Sequence, residues 1–364
     1  MTVARAIAGG LRAVWPDVEL RLVPMADGGD GTVEAFLAAG AQPRTVRVRG
    51  PLGAPVDAVY ARDGERAIIE MAAASGLALL AGERDALRAT TYGTGELIRD
   101  ALDGGARSIV LGIGGSATTD GGAGGLAALG VRFLDERGGE LPPDPASLQA
   151  LARIDVANLD PRLAATRISI ACDVDNPLLG PHGAAAVYGP QKGAAPGDIA
   201  FLDGVLARLA DCAERETGRD LRDAAGAGAA GGLGWALATF ADAALERGVF
   251  LIARIRQLED ALAGASLCVT GEGRIDRQTL HGKVVDGVAS LAAAHGVPVV
   301  AFGGSIDVRA EAELAARGIS CMPIVAGPLR LSEAMRRAPD LLQAAATRFA
   351  RLRVSPETKA TTHR

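Results

Sequence analysis

The chain has 364 residues, more than one ordinary hydrophobic core organises, which points to two domains. Apolar residues make up 49% and aromatics only 3%, so the core must be built from Ala, Leu, Val and Ile. The formal net charge is −5, the pI is near 5.5, and arginines alternate with acids, so no basic stripe suggests a nucleic-acid partner.

Four cysteines, Cys172, Cys212, Cys268 and Cys321, lie far apart with no C-x-x-C, which fits free thiols in a reducing cytosol. The few histidines show no ligand spacing, so a structural metal site is not expected. No apolar run reaches the roughly 20 residues that span a bilayer, and MTVARAIAGGL lacks signal-peptide architecture. A cytoplasmic protein without a membrane partner is the expectation.

Residues 3–14 have the periodicity of an amphipathic helix, and 18–24 (VELRLVP) that of a strand. The loop ADGGDGT follows, then a helix from Val33 to Ala39. Between 44 and 71, RTVRVRG, VDAVYAR and RAIIEM are three short strands of an antiparallel meander, separated by Pro-Leu-Gly and Asp-Gly-Glu. A helical pattern covers about 83–103, and SIVLGI (108–113) reads as a buried strand. RISIACDV (167–174) reads as another, and 198–217 as a helix. From about residue 250 strands and helices alternate. SLCVTGEG, helix 283–295, VPVVAFGGS, helix 308–317, ISCMPIVAG and one long helix at 332–352 predict a parallel βαβ series. The tail SPETKATTHR reads as disordered.

Five loops share one design, rich in Gly and mostly carrying Asp, Thr, Ser or Lys: ADGGDGT (26–32), GIGGSATTDGG (112–122), DVDNPLLG with PQKG (173–193), GAGAAGGLG (226–234) and TGEGRIDRQTLHGK (270–283). Four of them directly follow a predicted strand. Glycines let backbone N–H groups approach a phosphate, and carboxylates and hydroxyls beside them suit Mg²⁺. In open α/β sheets such loops form the ligand crevice. GAGAAGGLG lacks a polar side chain and reads first as a turn. The P-loop pattern is absent, GIGGSA is not followed by a helix, and the protein-kinase motifs are missing. There are three lysines against 35 arginines, and Lys192 and Lys283 both sit in these loops. A compact ammonium suits a phosphate clamp. A loop lysine carries little packing, so replacing either should spare the fold.

Taken together, ADGGDGT, YGTGELI, GIGGSATTDGGAG, ACDVDNPLLGPHGAAAVYGPQKGA, AGAAGGLG, VTGEGRIDRQTLHGK and IVAGPLRLSEAM resemble the bacterial glycerate kinases of the glycerate 2-kinase type, from about Val3 to Leu352. The resemblance implies an α/β fold, a Rossmann-like parallel-sheet domain with an inserted mixed α/β domain, and a site between the two. With the pattern of elements it gives domains at 1–43 with 250–355, an insert at 44–249 and a tail at 356–364. It implies phosphorylation of D-glycerate by ATP with Mg²⁺, the 2-phosphate being favoured. The alternatives are a family member that binds ligand without turnover, or a kinase of another small hydroxy acid. Oligomeric state stays open, a homodimer included.

Phosphoryl transfer needs charge neutralisation and in-line positioning. Asp173 or Asp175 would hold Mg²⁺ or take the hydroxyl proton, with Asp27 and Asp30 as alternative carboxylates. Glu272, Arg274 and Asp276 form a second charged group, and Lys192 and Lys283 would clamp phosphates. Gly28, Gly29, Thr32, Gly114, Gly115, Ser116, Thr118, Thr119, Asp120, Asn176, Gly271 and Gly273 complete the candidate binding set. Members of the resembled family begin with a strand and a loop like P-D-S-F-K-G, whereas this chain opens at the following helix. A segment upstream is therefore expected to add stability and activity.

Overall fold

In a computed structural model of the chain, residues 2–29, 31–281 and 283–353 are described. Two compact units divide it, one joining Met1–Met25 to Ile252–Arg364 and the other formed by Ala26–Leu251.

The Ala26–Leu251 unit is built on a six-stranded mixed sheet. Its strands are β1 (Gln42–Arg49), β2 (Pro55–Asp63), β3 (Arg66–Glu70), β4 (Ser108–Gly112), β7 (Arg167–Ala171) and β8 (Ala244–Glu246), in the order β1-β2-β3-β4-β7-β8. A separate two-stranded ribbon pairs β5 (Arg132–Leu134) with β6 (Arg153–Asp155). The meander is antiparallel, with Gln42 opposite Arg62 and Arg49 opposite Pro55, as its turn residues predict. From β3 onward the neighbours are parallel. The apolar runs in β3, β4 and β7 suit strands covered on both faces. Register places Glu70, Gly112, Ala171 and Glu246 in one row along the carboxyl end of this parallel part.

Two cores fill this unit. Ile69, Leu97, Ile109, Leu111, Ile170 and Leu233 anchor one. Phe133, Leu148, Leu206, Leu209 and Trp235 anchor the other. The helix Pro196–Thr217 lays Leu202, Leu206, Leu209 and Ala213 on the second core, with their three-and-four spacing, and stops at Gly218 in the left-handed region, φ 70°.

The other unit contains a parallel sheet, β11-β10-β9, of β9 (Cys268–Ile275), β10 (Val299–Ile306) and β11 (Ile319–Pro323). Helices Val284–Ala294 and Val308–Ala316 connect successive strands. Asp307 starts the second helix, its carboxylate accepting from the Arg309 and Ala310 N–H groups at 3.0 and 3.1 Å. Helix Thr2–Arg12 lies against helix Ala338–Leu352, where a Cβ on Gly10 would sit 2.3 Å from the Gln343 carbonyl oxygen.

Five expectations are corrected. Residues 18–24 form no ladder: Leu20 and Val23 pack on this unit's cores, and Arg21 donates to the Ala261 and Ala263 carbonyls instead. The helix expected at 83–103 runs only over Tyr92–Asp103, because Asp85 turns its own backbone by accepting from Leu87 N–H at 3.0 Å. The final helix is two, Leu331–Arg336 and Ala338–Leu352, with Pro339 opening the second. GEGRI does not follow a strand; it is strand, with Glu272 opposite Gly303 and Arg274 opposite Ser305. Gly271 and Gly304 permit this, since a Cβ on either would meet a β10 or β9 carbonyl oxygen at 2.5 Å. Residues 26–43 belong with the Ala26–Leu251 unit, where Val33 and Phe36 of helix Thr32–Leu37 are buried. The tail at 356–364 lies outside the described residues. Among the described residues no helix is long and apolar enough to cross a membrane.

Candidate functional site

The row Glu70–Gly112–Ala171–Glu246 carries the first group of candidate residues. The segment Asp27–Gly29 lies directly over it. A Cβ on Gly28 would fall 2.1 Å from Ala171 Cβ, and Gly28 has φ 84°, open to glycine at no cost. A Cβ on Gly112 would fall 2.2 Å from the Gly28 carbonyl oxygen, and one on Gly248 1.8 Å from that of Asp27. Three glycines therefore let three loops meet backbone to backbone.

Two carboxylates are fixed there. Asp27 accepts from the Gly29 N–H at 3.1 Å, and Asp173 from the Gly248 N–H at 2.9 Å. Asp173 is solvent-accessible, yet enough protein surrounds its carboxyl that desolvation pushes its pKa up. The Gly248 hydrogen bond and the Arg247 charge oppose that shift, while the negative charge of Asp27 adds to it. Glu70 at the end of β3 accepts from the Val33 N–H at 2.8 Å, in the first turn of helix Thr32–Leu37. Thr32 is buried, its hydroxyl donating to the Gly29 carbonyl at 2.8 Å. Asp30 lies outside the described residues.

The loop after β4 divides in two. Gly114 and Gly115 are exposed, the latter with φ 68°. Ser116 through Asp120 are buried. Asp120 accepts four hydrogen bonds, from Thr91 N–H and hydroxyl at 2.7 Å each, Gly122 N–H at 3.2 Å and Gly124 N–H at 3.0 Å. Burial nevertheless pushes its pKa up. Thr118 and Thr119 have buried hydroxyls with no partner among the described residues.

Lys192 is not a surface loop lysine. It ends the short turn Pro190–Lys192, is 1% exposed, and donates from Nζ to the Thr118 carbonyl at 2.6 Å. Burial pushes its pKa down to about 7, opposed by the charge of Asp120. The expectation that its replacement spares the fold is therefore corrected. Asn176 bridges within its own loop, donating to the His182 carbonyl and accepting from the Tyr188 hydroxyl. Asp175 is exposed.

GAGAAGGLG is structural, as its lack of polar side chains suggests. Gly231 packs on the Thr118–Thr119 backbone and accepts through its carbonyl from the Gly121 N–H at 2.8 Å.

The second group lies in the other unit. Glu272 accepts from Val285 N–H at 3.0 Å, in the first turn of helix Val284–Ala294, and from the Thr279 hydroxyl at 3.2 Å. Asp276 accepts from the Gln278 N–H and pairs with Arg274 at 3.0 Å. Both acids thus hold their own turn together. Arg274 remains 76% exposed in its side chain, and Lys283 donates to Gln278 Oε1 at 3.0 Å. Gly273 has open space at its Cβ position, whereas Gly271 is hemmed in.

Sequence reasoning missed Glu70, Arg247 and Gly248. None sits in a Gly-rich motif; only the register that aligns the ends of β3 and β8 reveals them. Oxygen-only donors at Asp27 and Asp173, whose charges oppose each other, fit a hard divalent cation such as Mg²⁺. Among the described residues no cluster of three His, Cys, Asp or Glu could hold a metal.

Residues 1–354 match the model of the glycerate kinase family. The chain is 47% identical to a glycerate kinase of Halalkalibacterium halodurans over 96% of its own length and 93% of that protein's. It is 48% identical to the glycerate 2-kinase of Escherichia coli K12, over 84% and 81% of the two chains. A crystal structure named for glycerate kinase 2 of Salmonella typhimurium LT2 superposes with TM-score 0.88 at 46% identity, covering 96% of this chain and 93% of that one. The chain belongs to the glycerate kinase family.

Proposed function

We propose that the protein transfers the γ-phosphoryl group of ATP to D-glycerate, with the 2-hydroxyl as acceptor. The observation that carries this reading is the meeting of Asp27, Asp173 and the exposed Gly114–Gly115 backbone at one strand end, in a chain that matches the family over residues 1–354.

Each residue takes a separate task. Asp173 Oδ1 is held by Gly248, leaving Oδ2 to accept the proton of the glycerate hydroxyl. Its raised pKa makes this carboxylate a stronger base than an ordinary exposed one. Asp27 would hold Mg²⁺. When bound, the ion neutralises charge on the transferring phosphoryl group. The Gly114 and Gly115 backbone, free of Cβ, receives the phosphate chain. In the other unit, Arg274 and Lys283 carry positive charge that suits an anionic ligand group. The reading extends to a cytoplasmic location.

A coupled assay of ADP release with D-glycerate and Mg-ATP tests the proposal, and identifying the product by NMR tests the acceptor position. Turnover with D-glycerate and formation of the 2-phosphate are expected. A folded protein that releases no ADP with D-glycerate would overturn it.

A further inference from the structure

Lys192 has a place in the molecule that a phosphate clamp does not need. Its side chain is among the largest fully buried ones. Its ammonium reaches across 74 positions of sequence to the Thr118 carbonyl and feels the charge of Asp120. The Tyr188 ring lies 5.9 Å from Nζ. The segment around Arg84 covers it: the Arg84 guanidinium donates to the Gln191 carbonyl at 2.7 Å, and a Cβ on Gly193 would fall 2.7 Å from Arg84 Cβ. Asp120 in turn ties down Thr91, Gly122 and Gly124. The segment held from behind, Thr118–Gly122, continues directly from Gly114 and Gly115.

We propose that Lys192 is a positioning residue: it acts from inside the protein, fixing the Gly112–Gly122 loop through the Thr118 carbonyl and Asp120, and does not touch substrate. This rests on the proposed function only in assigning Gly114 and Gly115 to the phosphate chain. A buried lysine amine donating to the Thr118 carbonyl, beside a carboxylate that accepts four hydrogen bonds from Thr91, Gly122 and Gly124, locks a backbone in one conformation, because each unmade bond would leave a buried polar group. Displacement of the loop by about 1 Å is enough to lower turnover about 100-fold.

The test compares wild type with K192M, K192Q and T91V. Thr91→Val removes a hydroxyl that serves Asp120 and the Gly125 N–H without touching Lys192. Hydrogen exchange of the substrate-free proteins is read at Gly121, Gly122 and Gly124, alongside kcat and the Kd for ATP. In K192M these amides should exchange about tenfold faster, reporting local opening. Its kcat should fall about 10- to 100-fold, with little change in ATP affinity. T91V should show the same pairing of faster exchange and lower kcat. K192Q, which keeps a donor, serves if K192M does not fold, and predicts the same direction. Unchanged exchange with lost turnover or lost ATP affinity would overturn the proposal. So would a T91V protein whose loop opens while kcat stays normal. A wild type inert toward D-glycerate would sink the functional reading, while the exchange result would still decide whether Lys192 fixes the loop.

Discussion

Asp173 shows how a residue's environment separates its value to catalysis from its value to stability. Its folded pKa is raised by desolvation first and by Asp27 second. The folded state therefore binds that proton more tightly than the unfolded chain does. The contribution of this group to stability is best below the unfolded pKa and declines as pH rises through the raised folded value. At neutral pH the carboxylate is a burden on the fold. Asn keeps an oxygen for the Gly248 N–H and removes the charge. D173N is expected to melt at or about 1–3 °C above wild type at pH 7, with that advantage shrinking as pH falls toward 4. Its turnover should drop about 10²- to 10⁴-fold. Calorimetry at several pH values with a coupled assay checks both, and a D173N protein that melts lower at pH 7 than at pH 4 relative to wild type would reverse the sign. At this scale the sequence showed which residues carry chemistry but not which way they face. Asp27 sits over the ends of β4 and β7, and Asp173 and Asp175 follow β7, which leaves these three acids accessible. TTD looks equally chemical in sequence, yet Thr118, Thr119 and Asp120 are buried. Nothing in residue type distinguishes the two cases; Gly231, which packs on the Thr118–Thr119 backbone, does.

At the scale of elements, the Gly-rich segments serve two different purposes, and substitution separates them. Gly231 has φ 67°, and a Cβ there would lie 2.1 Å from the Thr118 carbonyl oxygen and 2.6 Å from Thr119 Cα. Backbone atoms cannot yield as a flexible side chain does. G231A should cost about 2–3 kcal/mol and disturb the loop that Lys192 holds. Gly204, in the middle of the helix Pro196–Thr217, is exposed with no atom near its Cβ position. G204A should stabilise by about 0.5–1 kcal/mol through helix propensity and lost unfolded-state freedom. Urea melts of the two variants give the contrast directly; equal shifts would mean that the close approach at Gly231 is not rigid. Long periodic elements were legible in sequence, such as 198–217 and the three strands of the meander, because burial on one face or alternation fixes their period. Elements bounded by side-chain chemistry were not. The turn at Asp85 and the extension of β9 through Gly271–Ile275 depend on a hydrogen bond and on a close strand contact, neither of which has a period.

For the whole molecule, the change from α/β alternation to an antiparallel meander and back marked a chain that leaves one unit and returns to it. The point of departure was harder to see. A strand at 18–24 followed by a loop and a helix reads as one βα unit, which would keep 1–43 together. Instead the chain crosses at Met25, because helix Thr32–Leu37 buries Val33 and Phe36 in the unit of β2 and β3. We propose that Ala26–Leu251 folds by itself. Its six-stranded sheet is complete, and both of its cores are built only from residues within that span. At well over 200 residues it is large enough to bury most of its apolar surface. The complementary unit is made of two pieces separated in sequence, so joining Met25 to Ile252 through a short Gly/Ser linker is the corresponding test for it. The fragment 26–251 is expected to show one cooperative thermal transition and native near-ultraviolet dichroism from Trp235, which is buried in its second core. A broad, non-cooperative melt with no near-ultraviolet signal would show that this unit depends on the other for its folding. In that case the two spans would be parts of one cooperative structure, and the mutations above should be read against a single stability.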